Sequence, residues 1–310
     1  MAEKYDVVGF GALNWDDNRQ VSEILLPGRE TSGNVLDGSP GGSAANTIAG
    51  LSRLGINTAF AGAVGNDGIG AELIRDLEDE GVRPLVNVNY GHSGNCLILI
   101  DSDGERSIYV FPEVNDTISI DEVSSETLDI IRNAEYFFSS SFACQDHYDS
   151  LMTQLELART AKKFCLSPGN LYTNPENRIR IEQGSILEGL MYEANVLFLN
   201  EDEIKMLTGE SYIPASKTLM DHYGNMDIIA VTLGERGCLV KTRDDEIEIA
   251  PEIPKSVQDT TGVGDAFAAG FVYGLLKGEK PETCGIYGNQ VAGKCIEKTG
   301  AREGLPYSII

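Results

Sequence analysis

Basic residues are scarce in this chain: 24 Lys and Arg stand against 48 Asp and Glu, a formal charge of −24 over 310 residues. Broad contact with nucleic acid or anionic lipid needs clustered Lys and Arg, which the sequence does not show, so neither a polynucleotide nor a membrane surface is an expected partner. A small anion remains open to it, held by local donors such as the amides at a helix start. Histidine is rarer still. His92, His147 and His222 form no HExxH pair, and nothing ties any of them to an activated Ser or Cys, so triad hydrolysis has no support. The cysteines at 96, 144, 165, 238, 284 and 295 form no CxxC pair and are too scattered for a zinc site or a disulfide framework. Burial in the reduced state is the expectation for most of them. No apolar run approaches the ~18 residues of a membrane helix. The opening MAEKYDVVGFGAL lacks a basic, apolar, small-residue cleavage pattern, and the expected location is the cytoplasm. There is also no GxxxxGKS or GxxxxGKT phosphate loop.

What remains is enough to build a deep core and a sheltered cleft: 42% of the residues are hydrophobic, in a chain with room for roughly two domains. Short apolar runs rich in β-branched and aromatic residues, at Tyr5 to Val8, Thr58 to Val64, Tyr136 to Phe138, Val196 to Leu199 and Ile228 to Thr232, read as buried strands. Helical patterns lie between them, as at Ala44, Ala45, Ile48 and Leu51 before Gly55, and at Leu73, Ile74 and Leu77 before Gly81. That alternation predicts an α/β fold with a mainly parallel sheet, and ligands at the carboxyl ends of its strands. Two segments break the pattern. Residues 15–38 carry no strong helical period, and residues 94–112 read as a hairpin turning at Ser102, Asp103 and Gly104. The expected organisation is one α/β unit from residues 1–14, 39–93 and 113–310, with residues 15–38 and 94–112 as a small β lid.

The densest chemistry lies at Asp259-Thr260-Thr261-Gly262-Val263-Gly264-Asp265, followed by a helical pattern. Glycines at 262 and 264 permit tight turns that gather backbone N–H groups at the positive end of a helix, a ready anion site. Asp265 at that helix start could accept a proton from a hydroxyl, or could simply cap the helix. A second cluster, Gly41-Gly42-Ser43-Ala44-Ala45-Asn46, leads into the first helix, and Gly62 to Gly70 follows it.

Taken together, the two clusters resemble the signatures of the ribokinase-like, or PfkB, carbohydrate and nucleoside kinases. Residues 41–70 look like the first signature and residues 259–276 the second, and the likeness runs from Val7 to Gly300-Ala301-Arg302-Glu303-Gly304-Leu305-Pro306. The resemblance implies a three-layer sandwich with a small β lid. It also implies ATP-dependent transfer of the γ-phosphoryl group to a hydroxymethyl group of a sugar or nucleoside. Asp265 matches the catalytic base, and the backbone of Gly262, Val263 and Gly264 the anion hole. Phosphoryl transfer asks for positioning and a sink for charge on the equatorial oxygens, which helix-start amides provide. Asn14, Asp16, Gly42 and Asn46 match substrate contacts, the amide and carboxylate groups that buried hydroxyls demand. Thr232, Gly234 and Gly237 match the nucleotide loop, and Asn289 an adenine contact. Asn200-Glu201-Asp202-Glu203 resembles the NxxE motif linked to Mg²⁺ and phosphate, with Glu203 acting through water, and it reads equally as a capping box. Asp259 and Thr261 match positions that hold a monovalent cation such as K⁺ in some relatives.

The chain also departs from that pattern. Ser43 stands where many sugar kinases of the family have a basic residue, and Ser167-Pro168-Gly169-Asn170 lacks an Asp often found there. A phosphorylated acceptor would need basic side chains, of which the lid offers Arg19, Arg29 and Arg106. Trp15, Tyr109 and Phe111 could stack on a base, favouring a nucleoside, or serve as the lid's own core. Exposed lid edges suggest a homodimer clasped through the lids. Two other readings compete: a non-catalytic sugar- or nucleotide-sensing module on the same fold, and a nicotinamide oxidoreductase read from Gly9-Phe10-Gly11, whose fingerprint lacks its third glycine.

Overall fold

The structure, a computed structural model, describes residues 4–103, 106–143, 147–174 and 181–309; Gly104 of the expected hairpin turn and Cys144 lie outside them. Its strands in chain order are β1 (Val7–Phe10), β2 (Asn14–Val21), β3 (Gly33–Val35), β4 (Ser39–Gly41), β5 (Thr58–Gly65), β6 (Arg83–Asn89), β7 (Gly94–Ile100), β8 (Arg106–Phe111), β9 (Tyr136–Ser140), β10 (Phe164–Ser167), β11 (Val196–Asn200), β12 (Ile228–Thr232), β13 (Cys238–Thr242) and β14 (Glu246–Ile249).

Nine of them form one sheet in the order β14-β13-β12-β11-β10-β9-β1-β5-β6, parallel from β6 to β12 and antiparallel at β13 and β14. A parallel sheet must be covered on both faces, and the sequence supplies the apolar residues for it: all eight residues of β5 are buried. Neighbours along β1 divide between the faces. Val7 packs with Ile48, Phe60 and Phe267 beneath the helices Ser43–Arg53 and Val263–Leu276. Val8 packs with Phe137, Phe164 and Leu166 beneath the helices Asp149–Thr160 and Ile181–Glu193. The result is the expected three layers. The observed β1 begins two residues later than the apolar run at Tyr5 suggests, because it aligns with β5 and β9 from Val7 onward.

Strand order reverses beside β1, which lies between β5, the next parallel strand in sequence on one side, and β9 on the other. Such a reversal opens a crevice at the carboxyl ends of the two strands. Residues 11–14 and 139–141 therefore face one another there.

A second, smaller sheet runs β3-β2-β7-β8 with β4 paired to β2. It is wider than the two segments expected of a lid, since Asn14 pairs with Gly41 and Gly94, bringing Asn14 and residues 39–41 into it. Side chains alternate across a strand. Asp16, Cys96, Ile98, Ile108 and Val110 turn toward the crevice. Trp15, Tyr109 and Phe111 fall on the opposite face, where Tyr109 and Phe111 are about half exposed. Stacking of those three rings on a bound base is therefore ruled out by the pleat. Among the described residues, no helix is long and apolar enough to cross a membrane.

Candidate active site

Two helices begin against each other at the carboxyl edge of the sheet. Ser43–Arg53 is entered through Gly42 at φ 111°, where a Cβ would run into the Ala12 carbonyl. Val263–Leu276 is entered through Gly262 at φ 73°, where a Cβ would run into Ala301. Only glycine satisfies both conditions. Small residues let the two helices close on one another, with the Ala269 methyl 2.9 Å from the space a Cβ on Gly50 would fill. Side chains of the first helix thereby reach the head of the second. Ser43 Oγ donates to Asp265 Oδ1 at 2.5 Å, Asn46 Nδ2 donates to Asp265 Oδ2 at 2.9 Å, and the Thr47 hydroxyl donates to the Asp265 carbonyl at 3.3 Å.

Behind Asn46 stands Arg302, only 7% exposed. Its Nε donates to Asn46 Oδ1 at 2.8 Å, and its Nη1 contacts the Asp76 carboxylate. Burial raises the Asp265 pKa from 3.8 to about 6, opposed by the hydrogen bonds from Ser43 and Asn46 and by the Arg302 charge. Asp16 is also raised to about 6, again by burial, against a hydrogen bond with Cys96 and the Arg302 charge and with the Asp265 charge. Cys96 in turn is pushed up to about 12 by burial, by the Asp16 charge and by that hydrogen bond.

Asp265 and Ser43 are the residues common to two adjoining cavities. One, of about 220 Å³, is lined by Asn14, Asp16, Gly42, Asn46, Asn115 and Ser140, with Gly262 and Thr261 at its edge. Asn115 is fully buried and donates Nδ2 to Asn14 Oδ1 at 3.0 Å, which leaves the Asn14 NH₂ group for the cavity. The other, of about 450 Å³, is lined by Asn200, Glu203, Thr232, Gly234, Val263 and Gly264. It continues past Gly234 and Val263 into an apolar cleft of about 420 Å³ walled by Pro251, Ile253, Val257, Asn289 and Ile296. A still larger groove, about 880 Å³ between Lys4, Arg83 and Lys162, lies at the amino ends of the strands, the wrong end for a ligand in a parallel sheet.

Amides at the head of Val263–Leu276 border both cavities. The Val263 N–H turns back to the Thr260 carbonyl and that of Ala266 to the Gly262 carbonyl, so the amides of Gly264 and Asp265 have no partner within the helix. Open amides of this kind at a helix start can receive an anion, and the carboxylate of Asp265 stands at their edge.

The other expected residues fall in different places. Asn200 and Glu203 form a complete capping box, Asn200 Oδ1 accepting from the Glu203 amide at 2.8 Å and Glu203 Oε2 from the Asn200 amide at 2.9 Å. Glu203 nonetheless lines the larger cavity, its pKa raised by burial and by the charges of Asp265 and Asp202 against the Asn200 amide. Among the described residues, no group of three or more His, Cys, Asp or Glu is placed to hold a metal. Mg²⁺ needs no such cage, binding through one or two carboxylates beside phosphates and water, and Glu203, a carboxylate lining the cavity, fits that requirement. Gly237 sits behind the turn after β12, its carbonyl accepting from the Leu233 amide at 2.8 Å, and does not line the cavity. Asn289 lines the apolar cleft while its Nδ2 donates to the Ala250 carbonyl at 2.9 Å. Asp259 and Thr261, expected to hold a monovalent cation, are held instead by Arg106 of β8: Arg106 Nη2 donates to Asp259 Oδ1 at 2.7 Å, and Nη1 contacts the Thr261 hydroxyl. Arg19, a second lid cation, pairs with Asp17 on the far face.

Three residues in the site carry no expectation from the sequence: Ser43 as a donor to Asp265, Arg302 and Asn115. A lone Arg in a glycine-rich terminal stretch of a strongly acidic chain is the signal that marks Arg302. The sequence carries no comparable mark for Asn115.

Comparison with known proteins adds to this geometry. The sequence profile of the pfkB family carbohydrate kinases matches residues 5–307. The chain is 42% identical over 262 residues to an uncharacterized sugar kinase of Archaeoglobus fulgidus, covering 84% of this chain and 99% of that one. It is 30% identical over 301 residues to an ATP-dependent ribose-1-phosphate kinase of Halopiger xanaduensis, covering 96% and 93%. The structure of Arabidopsis thaliana ribokinase complexed with ribose and ATP superposes with a TM-score of 0.79 at 25% identity, over 98% of this chain and 96% of that one.

Proposed function

The chain belongs to the pfkB family of carbohydrate kinases, phosphotransferases with an alcohol acceptor, and from that premise we propose that it moves the γ-phosphoryl group of ATP onto a hydroxymethyl group of a sugar or nucleoside. The observation that carries this reading is the position of Asp265 on the shared wall of two cavities, beside the open amides of a helix start.

In this reading the apolar cleft takes the adenine ring, with Asn289 at its wall, and Thr232, Gly234 and Asn200 border the path of the phosphates. Glu203 would hold a hydrated Mg²⁺, whose charge offsets that of the phosphates when it is bound. Asn14, Asp16 and Asn46 face the acceptor's hydroxyls, the Gly42 turn bringing the backbone close to it. Asp265 Oδ1 and Oδ2 each carry one hydrogen bond, so lone pairs remain on the carboxylate to take the hydroxyl proton as the oxygen attacks. The amides of Gly264 and Asp265, with Gly262 and Val263 setting the turn, receive the negative charge of the transferring group. The second sheet lies over the acceptor cavity through Ile98, Ile108 and Val110, an apolar cover that excludes water from the transfer. No observation favours a sensing module.

Measuring ADP release across a panel of sugars, nucleosides and sugar phosphates, with Asp265→Asn as the control, tests the proposal. Acceptor-dependent ADP formation that vanishes in the variant supports it. A folded protein that binds ATP but transfers to no member of a broad panel overturns it.

A further inference from the structure

Asp259 lies three residues before the Gly262 turn, and every donor around it is already committed to its carboxylate. Oδ1 accepts from the Thr261 amide at 2.9 Å, the Thr261 hydroxyl at 2.7 Å and Arg106 Nη2 at 2.7 Å, while Oδ2 accepts from the Gly300 amide at 2.8 Å. Burial pushes this carboxyl up, but the Gly300 and Thr261 donors and the Arg106 charge outweigh it and hold it below the usual carboxylate range. An alkali cation binds through oxygens that present lone pairs. Here Oδ1 meets three N–H and O–H donors and Oδ2 one more, and a permanent positive charge already touches the carboxylate. The residues do not fit K⁺.

The same contact links two parts of the fold. Arg106 is the first residue of β8 in the second sheet, and Asp259 and Thr261 belong to the turn that opens the Val263–Leu276 helix. The guanidinium is a planar fork, able to reach the carboxylate and the neighbouring hydroxyl together, and it cannot lose its charge.

We propose that Arg106 takes the place of a monovalent cation in this protein: delivered by the second sheet, it neutralises Asp259, fixes the 259–262 turn and thereby sets the amides that receive the phosphoryl group, so that transfer proceeds without K⁺. The inference rests on the kinase reading above. Arg106 is a positioning residue in it, acting through Asp259 and Thr261 and not on the reacting atoms. Among the described residues no Lys or Arg lines the acceptor cavity, Arg106 being committed to Asp259, which favours an uncharged acceptor hydroxyl compound over a sugar phosphate.

Two measurements test this on the full chain. In the first, without turnover, thermal unfolding is followed at constant ionic strength in choline chloride and in KCl, and Tl⁺ binding is followed by thallium NMR. The wild-type protein is expected to show the same melting temperature in both salts within about 1 °C and no saturable Tl⁺ site, whereas Arg106→Met is expected to melt lower in choline and to recover in KCl. In the second, kcat is compared in the same salts. Wild type should differ by less than about twofold, and Arg106→Met should lose about tenfold or more in choline, with K⁺ or millimolar guanidinium restoring part of it. Arg106→Lys, which keeps the charge and loses the fork, should fall between them. Saturable Tl⁺ binding to the wild type, a K⁺ requirement of about tenfold, or an Arg106→Met variant at full kcat in choline would each overturn the proposal. Should no acceptor be phosphorylated under any condition, the kinase reading fails, and the salt and Tl⁺ arms still decide what occupies Asp259.

Discussion

Ser43 Oγ and Asp265 Oδ1 are 2.5 Å apart although 222 residues separate them in the chain. Two helix heads meet at this hydrogen bond, one entered through Gly42 and the other through Gly262, and with Asn46 it offsets part of the rise in pKa that burial gives the carboxylate. In the kinase reading, a base that must be ionised to work is thus placed where ionisation is unfavourable and is tuned by donors from a different helix.

Replacing Asp265 by Asn should therefore separate stability from activity. Turnover should fall about 10²- to 10⁴-fold, the usual worth of a positioned base. Stability should move the other way. The folded pKa of about 6 lies above the ordinary 3.8, so the native state binds more protons between those values and stability declines as pH rises through that window. At pH 8 the ionised carboxylate costs up to about 3 kcal/mol, which the amide relieves. Urea unfolding at pH 4.5 and pH 8 should show the variant gaining clearly more on the wild type at the higher pH. An equal loss of stability at both would mean that Asp265 is a structural cap.

The same carboxylate should appear in the pH dependence of activity. The acid limb of kcat/KM is expected near pH 6, the protonated form below it being unable to accept the hydroxyl proton. Ser43→Ala removes a hydrogen bond that favours the charged form, so the limb should shift to higher pH, and the activity lost should be greater at pH 6 than at pH 8. A limb that stays in place would show that Ser43 serves packing alone.

The two glycines of the Gly262-Val263-Gly264 turn should fail for different reasons. Gly262→Ala puts a Cβ against Ala301 at φ 73°, a conformation whose strain costs about 1–3 kcal/mol, and should lower the melting temperature. At Gly264 a Cβ meets nothing, and the residue lies in the first turn of a helix, so Gly264→Ala should leave stability unchanged or raise it by up to about 1 kcal/mol. The added methyl nevertheless enters the cavity that Gly264 lines. A rise in KM for ATP or a fall in kcat, in a protein at least as stable as wild type, is the expected result. A fully active Gly264→Ala would place the phosphate elsewhere.

These residues differ in how much the sequence alone discloses of them. The capping box at Asn200 and Glu203 is written within four residues and appears as read, and the strands of the parallel sheet follow from apolar runs that need cover on both faces. Glycines at 42 and 262 mark helix entries because only glycine takes those backbone angles. The partners of Asp265 are a different matter. Ser43 and Asn46 reach it only because Gly50 lets two helices close together, a tertiary fact with no local signature. Arg106 is visible as one of few lid cations, but its target lies 153 residues away and is fixed by how the second sheet sits. Tyr109 and Phe111 mislead for a simpler reason: without the register of β8 against β7, the face they occupy is undetermined.

Arg302 joins the structural and the catalytic arguments, and its removal should be separable into both. It fixes the Asn46 carbonyl through Nε and so turns the Asn46 NH₂ group toward Asp265, while its charge favours ionised Asp265 and Asp16 alike. Its other contact is Asp76, partly buried and raised in pKa by that burial against the Arg302 charge. Arg302→Met leaves Asp76 as an unpaired, partly buried carboxylate and should cost about 1–3 kcal/mol of stability. Adding Asp76→Leu removes the stranded charge and should return most of that loss, since an apolar pair of similar volume is often no worse than a buried ion pair. The tuning effect should survive in the double variant: the acid limb of kcat/KM should remain shifted to higher pH, because the carboxylates facing the acceptor have lost the positive charge behind them. Chemical denaturation and a pH–rate profile on both variants check this. Recovery of the limb together with stability would reduce Arg302 to a packing residue.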